Sequence, residues 1–497
     1  MWIVNAESVK ALVRSYGELL RCAFEWTHEK LKNKTAQTLA DALMKELSNA
    51  ALASWMLVYE NVPNTGYSDR DALGFDGLHP HFFSKPEDMG RAGSVLVTSH
   101  APVFDDVRDI ELKPLSDRDG AQLLLGLERW DSREYQSERE AALKLAGPQG
   151  LAGLPIALEP CRALLARRRR RRGETVHDLV RYLESAGGAT MENALNLALK
   201  YVRNSDAGSR AVLDVAAYVA SEGIPRQMLL RAPPFACVTL DVSALDPSAV
   251  EARIAPRSTK EIDLLVELSL LRQTAADGTS SEPVYSIHPL VQKAAQGGCT
   301  AERALEAVWN DLEPYDSDDP STWAWALAAL PHAEALRTGY LRSEDSQRAG
   351  GASLGFDDRA AVARVLHTAG LVWTTVMGKY DAALACYRTA LRADRWAPGD
   401  GLKNHAAMLC NNMGVIYRRQ QRYQEALKAY EEAERMSRGA LGNAHPEVAA
   451  ILMNEGIVYQ ALGLPEEALK LLEKAIVESK IEFKSHGRKS LCLYGVP

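Results

Sequence analysis

The 497-residue sequence contains no stretch of 18 or more apolar residues, so a transmembrane helix is not expected. Its N-terminus lacks a basic segment followed by an apolar core, and a secretory signal is therefore not expected either. The seven cysteines are scattered singly without a C-x-x-C motif, which argues against a zinc site or a disulfide framework. We predict no metal site and a reducing, cytoplasmic compartment.

Motifs of common enzyme classes are also missing. The sequence has no G-x-S-x-G, H-E-x-x-H or phosphate loop of the form G-x-x-x-x-G-K-[ST]; its nearest approach to the last, Gly378-Lys379, is followed by Tyr380. The net charge of −7 does not favour nucleic acid as a bulk partner. We therefore predict no enzymatic activity, ATPase activity included, and neither membrane nor nucleic-acid binding.

Three short apolar runs in the first 100 residues, Trp2–Val4, Trp55–Tyr59 and Ser94–Thr98, predict buried parallel strands. Apolar residues at helix spacing between the first two runs predict a crossover helix. Glu60 follows the second run, where open α/β sheets place ligand-facing groups; a simple strand exit into solvent is the alternative. Ser99 and His100 follow the third run, which fits either a phosphate contact or ordinary turn chemistry.

The middle of the chain reads as helical. Its most conspicuous feature is Arg167–Arg172, six consecutive arginines, which predicts either a nuclear-localisation signal or, as we favour, a solvated helix end. Helices followed by a short hairpin over 209–297 are typical of a winged-helix region. We predict a helical connector over 300–345, a flexible linker over 343–358 and a tail over 481–497.

An internal repeat in three copies occupies residues 359–480. Ala383, Ala426 and Ala468 lie 43 and 42 residues apart, and Gly414 and Gly456 lie 42 apart. Small residues allow two helices to approach closely, and an aromatic side chain fills the adjacent gap. Copies of this kind stack into a solenoid whose concave face suits peptides or partner helices. The predicted repeat-packing residues are Ala383, Gly414, Tyr417, Ala426, Tyr430, Gly456, Tyr459 and Ala468.

The order of W-M-L-V-Y-E-N-V, G-S-V-L-V-T-S-H, I-E-L-K-P-L-S and G-L-P-I-A-L resembles the NB-ARC family of signal-transduction ATPases, over about residues 2–295. The repeats, with their G-N-A-H-P turn, resemble tetratricopeptide repeats of the kinesin-light-chain type. The resemblance implies a multidomain α/β plus α fold. Its parts are an incomplete parallel-sheet P-loop-type domain over 1–160, a helical segment over 161–208, the winged-helix region and an all-α solenoid.

The resemblance also implies roles for four residues. Glu60 takes the place of the Walker B aspartate, and His100 that of an arginine that senses the terminal phosphate. Pro155 matches a proline that packs on adenine, and His288 a histidine that contacts the β-phosphate of ADP. The sequence departs from the family at Glu60, at His100, at Pro289, where the family has an acidic residue, and most of all in the missing phosphate loop.

That loop would supply several backbone donors and a lysine to the phosphates. Hydrogen bonds to charged groups contribute roughly 1.5–3 kcal/mol each, so losing three lowers affinity by roughly 10³–10⁶. We therefore expect weak ADP or ATP binding, whether through a truncated gene model or true degeneration. The predicted function is a signalling or scaffold protein whose repeats bind protein partners. The alternative is a kinesin-light-chain-like adaptor without nucleotide regulation, and either is compatible with an oligomer.

Overall fold

The computed structural model divides the chain into two compact units, Met1–Lys113 and Pro114–Pro497, so the predicted 1–160 domain spans both. The residues that the structure describes are 2–5, 15–17, 19–20, 23–24, 26, 30, 36–49, 55–62, 93–99, 111–131, 133–205, 207–231, 260–274, 283–349, 356, 358–394, 401–443 and 445–482.

The first unit contains a parallel sheet of β1 (Trp2–Asn5), β2 (Trp55–Val62) and β3 (Gly93–Ser99), in that order. These strands lie where the apolar runs predict them, but the prediction that all three are buried is wrong for β3, in which Leu96 is 45% exposed. Helix α1 (Ala36–Asn49) buries Leu39, Leu43 and Leu47, which recur every fourth residue along one side. The Tyr16 hydroxyl donates to the Tyr59 hydroxyl at 3.3 Å, and both rings are buried.

The second unit begins with helices whose ends follow ordinary capping chemistry. The Ser116 hydroxyl accepts from the Asp119 amide at 3.1 Å, and Thr175 with Asp178 forms a capping box. The elements are α2 (Asp117–Leu125), α3 (Leu127–Trp130), a 3₁₀ turn (Arg133–Tyr135), α4 (Gln136–Ala146), α5 (Pro155–Arg172), α6 (Val176–Ser185) and α7 (Met191–Arg203).

A small antiparallel sheet with packed helices follows. Its order is β4-β6-β5, and β5 and β6 form the predicted hairpin around residues 275–282, which lie outside the described part. The elements are α8 (Ala207–Ala216), β4 (Ile224–Pro225), α9 (Arg226–Arg231), α10 (Lys260–Glu267), β5 (Arg272–Thr274), β6 (Val284–Ser286) and α11 (Pro289–Gln296).

The connector comprises α12 (Glu302–Leu312), a 3₁₀ turn (Pro320–Thr322) and α13 (Trp323–Arg348). The linker predicted over 343–358 is wrong for its first six residues, because α13 continues to Arg348 and buries Ser343 and Glu344. Phe356 is buried too, with its ring 5.4 Å from Tyr218 and 6.1 Å from Tyr340. Composition rich in Gly, Ser and Asp marked this segment, but tertiary packing fixes part of it.

The repeat region folds as three helical hairpins. The first helices, called A helices, are α14 (Arg359–Thr375), α16 (Gly401–Arg419) and α18 (Pro446–Ala461). The second helices, called B helices, are α15 (Tyr380–Asp394), α17 (Tyr423–Leu441) and α19 (Pro465–Glu482). Each A helix packs on its own B helix, and α15 and α17 also pack on the A helix that follows.

Glycine allows the close approach inside the first two hairpins. A Cβ added at Gly370 would lie closer than 3.0 Å to the Tyr387 ring, and one at Gly414 closer than 3.0 Å to the Tyr430 ring. In the third hairpin the partner of Gly456 is Leu472, and the added Cβ would meet it at an ordinary 3.4 Å. The repeat pattern in the sequence predicted Gly414 and Tyr430 as packing residues but did not predict Gly370.

We predict that Gly414→Ala destabilises the protein by about 1–3 kcal/mol, because overpacking against Tyr430 outweighs the helix propensity of alanine. Gly456→Ala is the matched control and should be neutral or stabilise by up to about 1 kcal/mol. Urea unfolding followed by far-UV circular dichroism measures both. Equal losses in the two variants would show that the tyrosine contact is not what requires glycine.

Candidate protein-interaction site

One side of the three A helices carries a row of accessible side chains, which we call the A-helix face. Its residues lie six before, one after and five after the glycine of each A helix, spacings of seven and four that share one side of a helix. All nine are half-buried or exposed. They are Arg364, Leu371, Thr375, Met408, Val415, Arg419, Ala450, Ile457 and Ala461.

A polar seam joins successive A helices beside this face. The Asn412 side-chain amide donates to His367 Nε2 at 3.0 Å, and the Asn454 amide donates to Asn411 Oδ1 at 3.0 Å. In both junctions the residue two before the glycine donates to the residue three before the glycine of the preceding helix. The seam therefore repeats with the solenoid and holds the A helices side by side.

The seam continues to a second histidine. His367 Nδ1 lies 2.9 Å from His405 Nε2. Because Asn412 donates to Nε2 of His367, its ring proton belongs on Nδ1 and is donated to His405. Burial lowers the pKa of His367 to about 3, so this buried ring is neutral at physiological pH. Asn404 extends the polar contacts to α18 by donating to Glu447 Oε1 at 3.2 Å.

The first A helix is partly covered on this face. Arg364 lies over the Trp309 ring of α12 at 5.5 Å, and the Thr375 hydroxyl is hydrogen-bonded to the Tyr315 hydroxyl. These contacts lie near the two ends of α14. The A-helix face is therefore more open along α16 and α18 than along α14.

A buried carboxyl group lies in the third hairpin. Glu455 of α18 is 5% exposed, and its Oε1 has no hydrogen-bond partner among the described residues. Burial, with the nearby charges of Glu434 and Glu431, raises its pKa to about 7. The Lys474 ammonium of α19 donates to Glu434 at 3.0 Å. Its positive charge is therefore shared between Glu434 and Glu455.

The arginine run is not a simple solvated helix end. Arg167 and Arg170 both pair with Glu267 of α10, the latter at 2.6 Å. Arg168 lies over the Tyr182 ring at 4.7 Å. Arg169 pairs with Glu138 of α4, and both side chains are largely buried.

Four of the six arginines thus tie α5 to α4, α6 and α10, whereas Arg171 and Arg172 are exposed. A nuclear-localisation signal needs accessible charge, and most of this run is engaged within the fold. The Glu138 carboxylate also accepts from the Val176 amide at 2.8 Å. Removing Arg169 would leave that carboxylate buried without its cation, which is costly.

Three of the four residues assigned by resemblance lie in the described part of the chain. Glu60 lies in β2, opposite Asn5 of β1, and His100 lies outside the described residues. Pro155 is exposed at the first position of α5. His288 caps α11, where its Nδ1 accepts from the Leu290 amide at 3.1 Å, and burial lowers its pKa. Helices α5 and α11 both pack on α7.

The G-L-P-I motif has a clear backbone role. Gly153 has a φ of 64°, and a Cβ there would lie closer than 3.0 Å to the Leu115 carbonyl oxygen. The Leu115 amide donates to the Gly153 carbonyl at 2.9 Å. The turn before α5 is therefore held against the segment that precedes α2. This contact joins the I-E-L-K-P-L-S motif, which contains Leu115, to the G-L-P-I-A-L motif, which contains Gly153.

Within the described ranges, histidine, cysteine and carboxylate side chains do not cluster in groups of three or more that could hold a metal. Burial raises the pKa of Cys161, Cys299 and Cys386 to about 12, so these thiols behave as small apolar groups. Among the described helices, none is long and apolar enough to cross a membrane.

A tetratricopeptide repeat family model matches residues 404–476, which span the second and third hairpins. The predicted tetratricopeptide repeats are therefore confirmed for this part of the chain. No curated protein gives a significant match.

Two solved structures resemble the chain at low identity. BtubC (BKLC) from P. vanneervenii is 18% identical, with a TM-score of 0.25, over 38% of this chain and 76% of its own. The Signal Transduction ATPase with Numerous Domains protein with a tetratricopeptide repeat sensor from Pyrococcus horikoshii is 12% identical, with a TM-score of 0.38. That match covers 97% of this chain and 72% of the other.

We predict that Glu455→Gln makes the protein less sensitive to pH. The pKa of Glu455 is about 7 in the folded protein, whereas the ordinary value is 4.5. Ionisation of this carboxyl therefore lowers the free energy of unfolding as pH rises from about 4.5 to 7, and the loss is constant above pH 7. At pH 8 the variant should be more stable by about 1–3 kcal/mol, and at pH 4.5 nearly equal. Urea unfolding at both pH values measures this, with exposed Glu473→Gln as control. A gain of equal size at both pH values would contradict the assignment.

Proposed function

We propose that the chain is a signalling or scaffold protein whose tetratricopeptide repeats bind protein partners on the A-helix face. The observation that carries this proposal is the row of nine accessible side chains held in register by the polar seam. A rigid row of this kind binds a peptide without first having to be ordered, which preserves affinity. Stacked helical hairpins generally present such a face on their concave side.

The chemistry of the face defines the kind of partner. Its central positions are aliphatic, namely Leu371, Val415 and Ile457, and the exposed Arg419 follows Val415 by one helical turn. Aliphatic positions bind apolar side chains, and a guanidinium binds a carboxylate. We propose a helical or extended peptide that carries spaced apolar residues and an acidic residue.

The first 297 residues, in the same proposal, are a degenerate ADP/ATP switch of NB-ARC type. Support comes from the parallel strands at the expected runs and from the contact between Leu115 and Gly153. The helices and three-stranded sheet between 207 and 296 support a winged-helix region. Pro155 and His288 would lie on the nucleotide side, while the missing phosphate loop makes binding weak.

The alternative, an adaptor of kinesin-light-chain type without nucleotide regulation, has its own support in the turn before α18. His445 Nδ1 accepts from the Glu447 amide at 3.3 Å, and Pro446 occupies the first helical position. The two proposals differ in whether ADP alters partner binding. The full chain is the proper material, because one buried cluster runs from Ala163 to Val458 and deletion would expose it.

We predict that Ile457→Lys weakens peptide binding at least about tenfold, a loss of about 1.4 kcal/mol, because it places a charge among the aliphatic positions. Peptides would be selected on the full chain from a random 16-residue display library and measured by fluorescence anisotropy. Gln424→Lys, which adds the same charge on exposed α17, is the control and should bind as wild type. Equal losses in both variants, or a library that yields no binder, would contradict the proposed face.

We predict that ADP binds the full chain with a Kd no tighter than about 100 µM, because the phosphate contacts of the missing loop are not replaced. Isothermal titration calorimetry with Mg²⁺ and ADP measures this. A micromolar Kd would overturn the degenerate-switch proposal. His288→Asn, which keeps a helix-capping side chain, would then show whether that histidine contributes.

A further inference from the structure

The connector lies against the first repeat as a preceding hairpin would. Helix α12 packs on α14, and α13 packs on both of them. Helix α12 and the turn after it run in the same direction as α14, since Trp309 lies beside Arg364 and, further along both segments, Tyr315 lies beside Thr375. Helices α16 and α18 are parallel in the same way. Side chains of α12 are therefore direct neighbours of the A-helix face.

The turn after α12 is fixed to the face by two linked hydrogen bonds. The Thr375 hydroxyl donates to the Leu371 carbonyl oxygen at 2.8 Å, so the Thr375 oxygen accepts from the Tyr315 hydroxyl. Tyr315 and Trp309 are both half-buried, and both pack on the buried cluster that runs through the repeats. The connector is thus held near the C-terminal end of α14, and Trp309 has a defined position near the other end.

Trp309 orients Arg364 without neutralising its charge. The guanidinium lies over the indole ring at 5.5 Å, and Arg364 is nevertheless exposed. No described residue forms a hydrogen bond or an ion pair with this guanidinium. The residues three and four positions away on α14 include no carboxylate either. Stacking on a ring engages the face of a guanidinium and leaves the N–H donors at its edge available for an acceptor.

Several other arginines of this chain lie over an aromatic ring and also bind a carboxylate within the protein. They are Arg167, Arg168, Arg169 and Arg422. Arg364 has the ring, but its carboxylate does not come from the described residues. A guanidinium that is already oriented loses less conformational freedom on binding, which favours an acidic group supplied by another molecule.

We propose that Trp309 and Arg364 form a carboxylate-binding position at the first-repeat end of the A-helix face. Arg364 binds an aspartate or glutamate side chain of the partner peptide through its N–H donors. Trp309, from a helix outside the repeats, is a positioning residue that holds the guanidinium in place. The partner therefore carries a second acidic residue besides the one that binds Arg419. Because a peptide must lie on this face, the assignment rests on the proposed function.

The test uses the full chain and the peptides selected on it from the display library. Each acidic residue of a selected peptide is replaced in turn by its amide, and affinities are measured by fluorescence anisotropy. One replacement should weaken binding to wild type at least about tenfold but binding to Arg364→Gln less than about twofold, because the charge-assisted contact is already missing in the variant. Arg392→Gln, which removes an exposed arginine from the B helix α15, is the matched control and should respond as wild type.

The positioning role of Trp309 is tested by a second pair of variants. Trp309→Phe keeps an aromatic ring beside the guanidinium and should keep the preference for the acidic peptide over its amide counterpart. Trp309→Leu should reduce that preference about two- to fivefold, which corresponds to an exposed cation–π contact. The measured quantity is the ratio of the two affinities, which a general loss of stability does not change. An unchanged ratio in Trp309→Leu refutes the positioning role.

Failure of this position is distinguishable from failure of the proposed function. If peptides bind and Ile457→Lys weakens them, but every acidic replacement costs as much in Arg364→Gln as in wild type, the carboxylate-binding position is refuted and the proposed function stands. Selected peptides that contain no acidic residue refute the position as well. A library that yields no binder refutes the proposed function, and the position with it.

Discussion

The close contact between a glycine on each of the first two A helices and a tyrosine on the B helix opposite sets the geometry of those two hairpins. At Gly370 and Gly414 the space of a missing Cβ is taken by a tyrosine ring that is almost fully buried. This approach brings the two helices of a hairpin together and fixes where the next A helix can lie. The residues of the polar seam and of the A-helix face recur at fixed sequence distances from the glycine of each A helix.

The repeats are part of a larger body and do not form a separate module. The buried cluster that begins at Ala163 continues through the antiparallel sheet and the connector into the solenoid. Phe356 contributes by packing edge-on against Tyr218 and Tyr340, from two regions distant in sequence. A shared core of this kind gives a physical route by which an event near α8 could bias the repeats, since packed interiors transmit strain.

Charge is used inside this body in two different ways. The arginines of α5 bind carboxylates on other helices, as in the buried pair of Arg169 and Glu138, and so join helices that share few other contacts. Glu455 is the opposite case, since it is buried beside other carboxylates and has a raised pKa. The first arrangement stabilises by pairing, whereas the second introduces a cost that depends on pH.

The sequence by itself determined the elements whose signal is local or periodic. Apolar runs placed the three parallel strands, and the 42-residue spacing placed the hairpins with Gly414 and Tyr430 in register. Only the tertiary structure decided which distant groups meet. Composition indicated a flexible segment where α13 continues, and a run of arginines indicated solvent where Glu138 and Glu267 are the partners. Periodicity reports the burial of one helix side, whereas pairing between helices depends on three-dimensional placement that spacing along the chain does not encode.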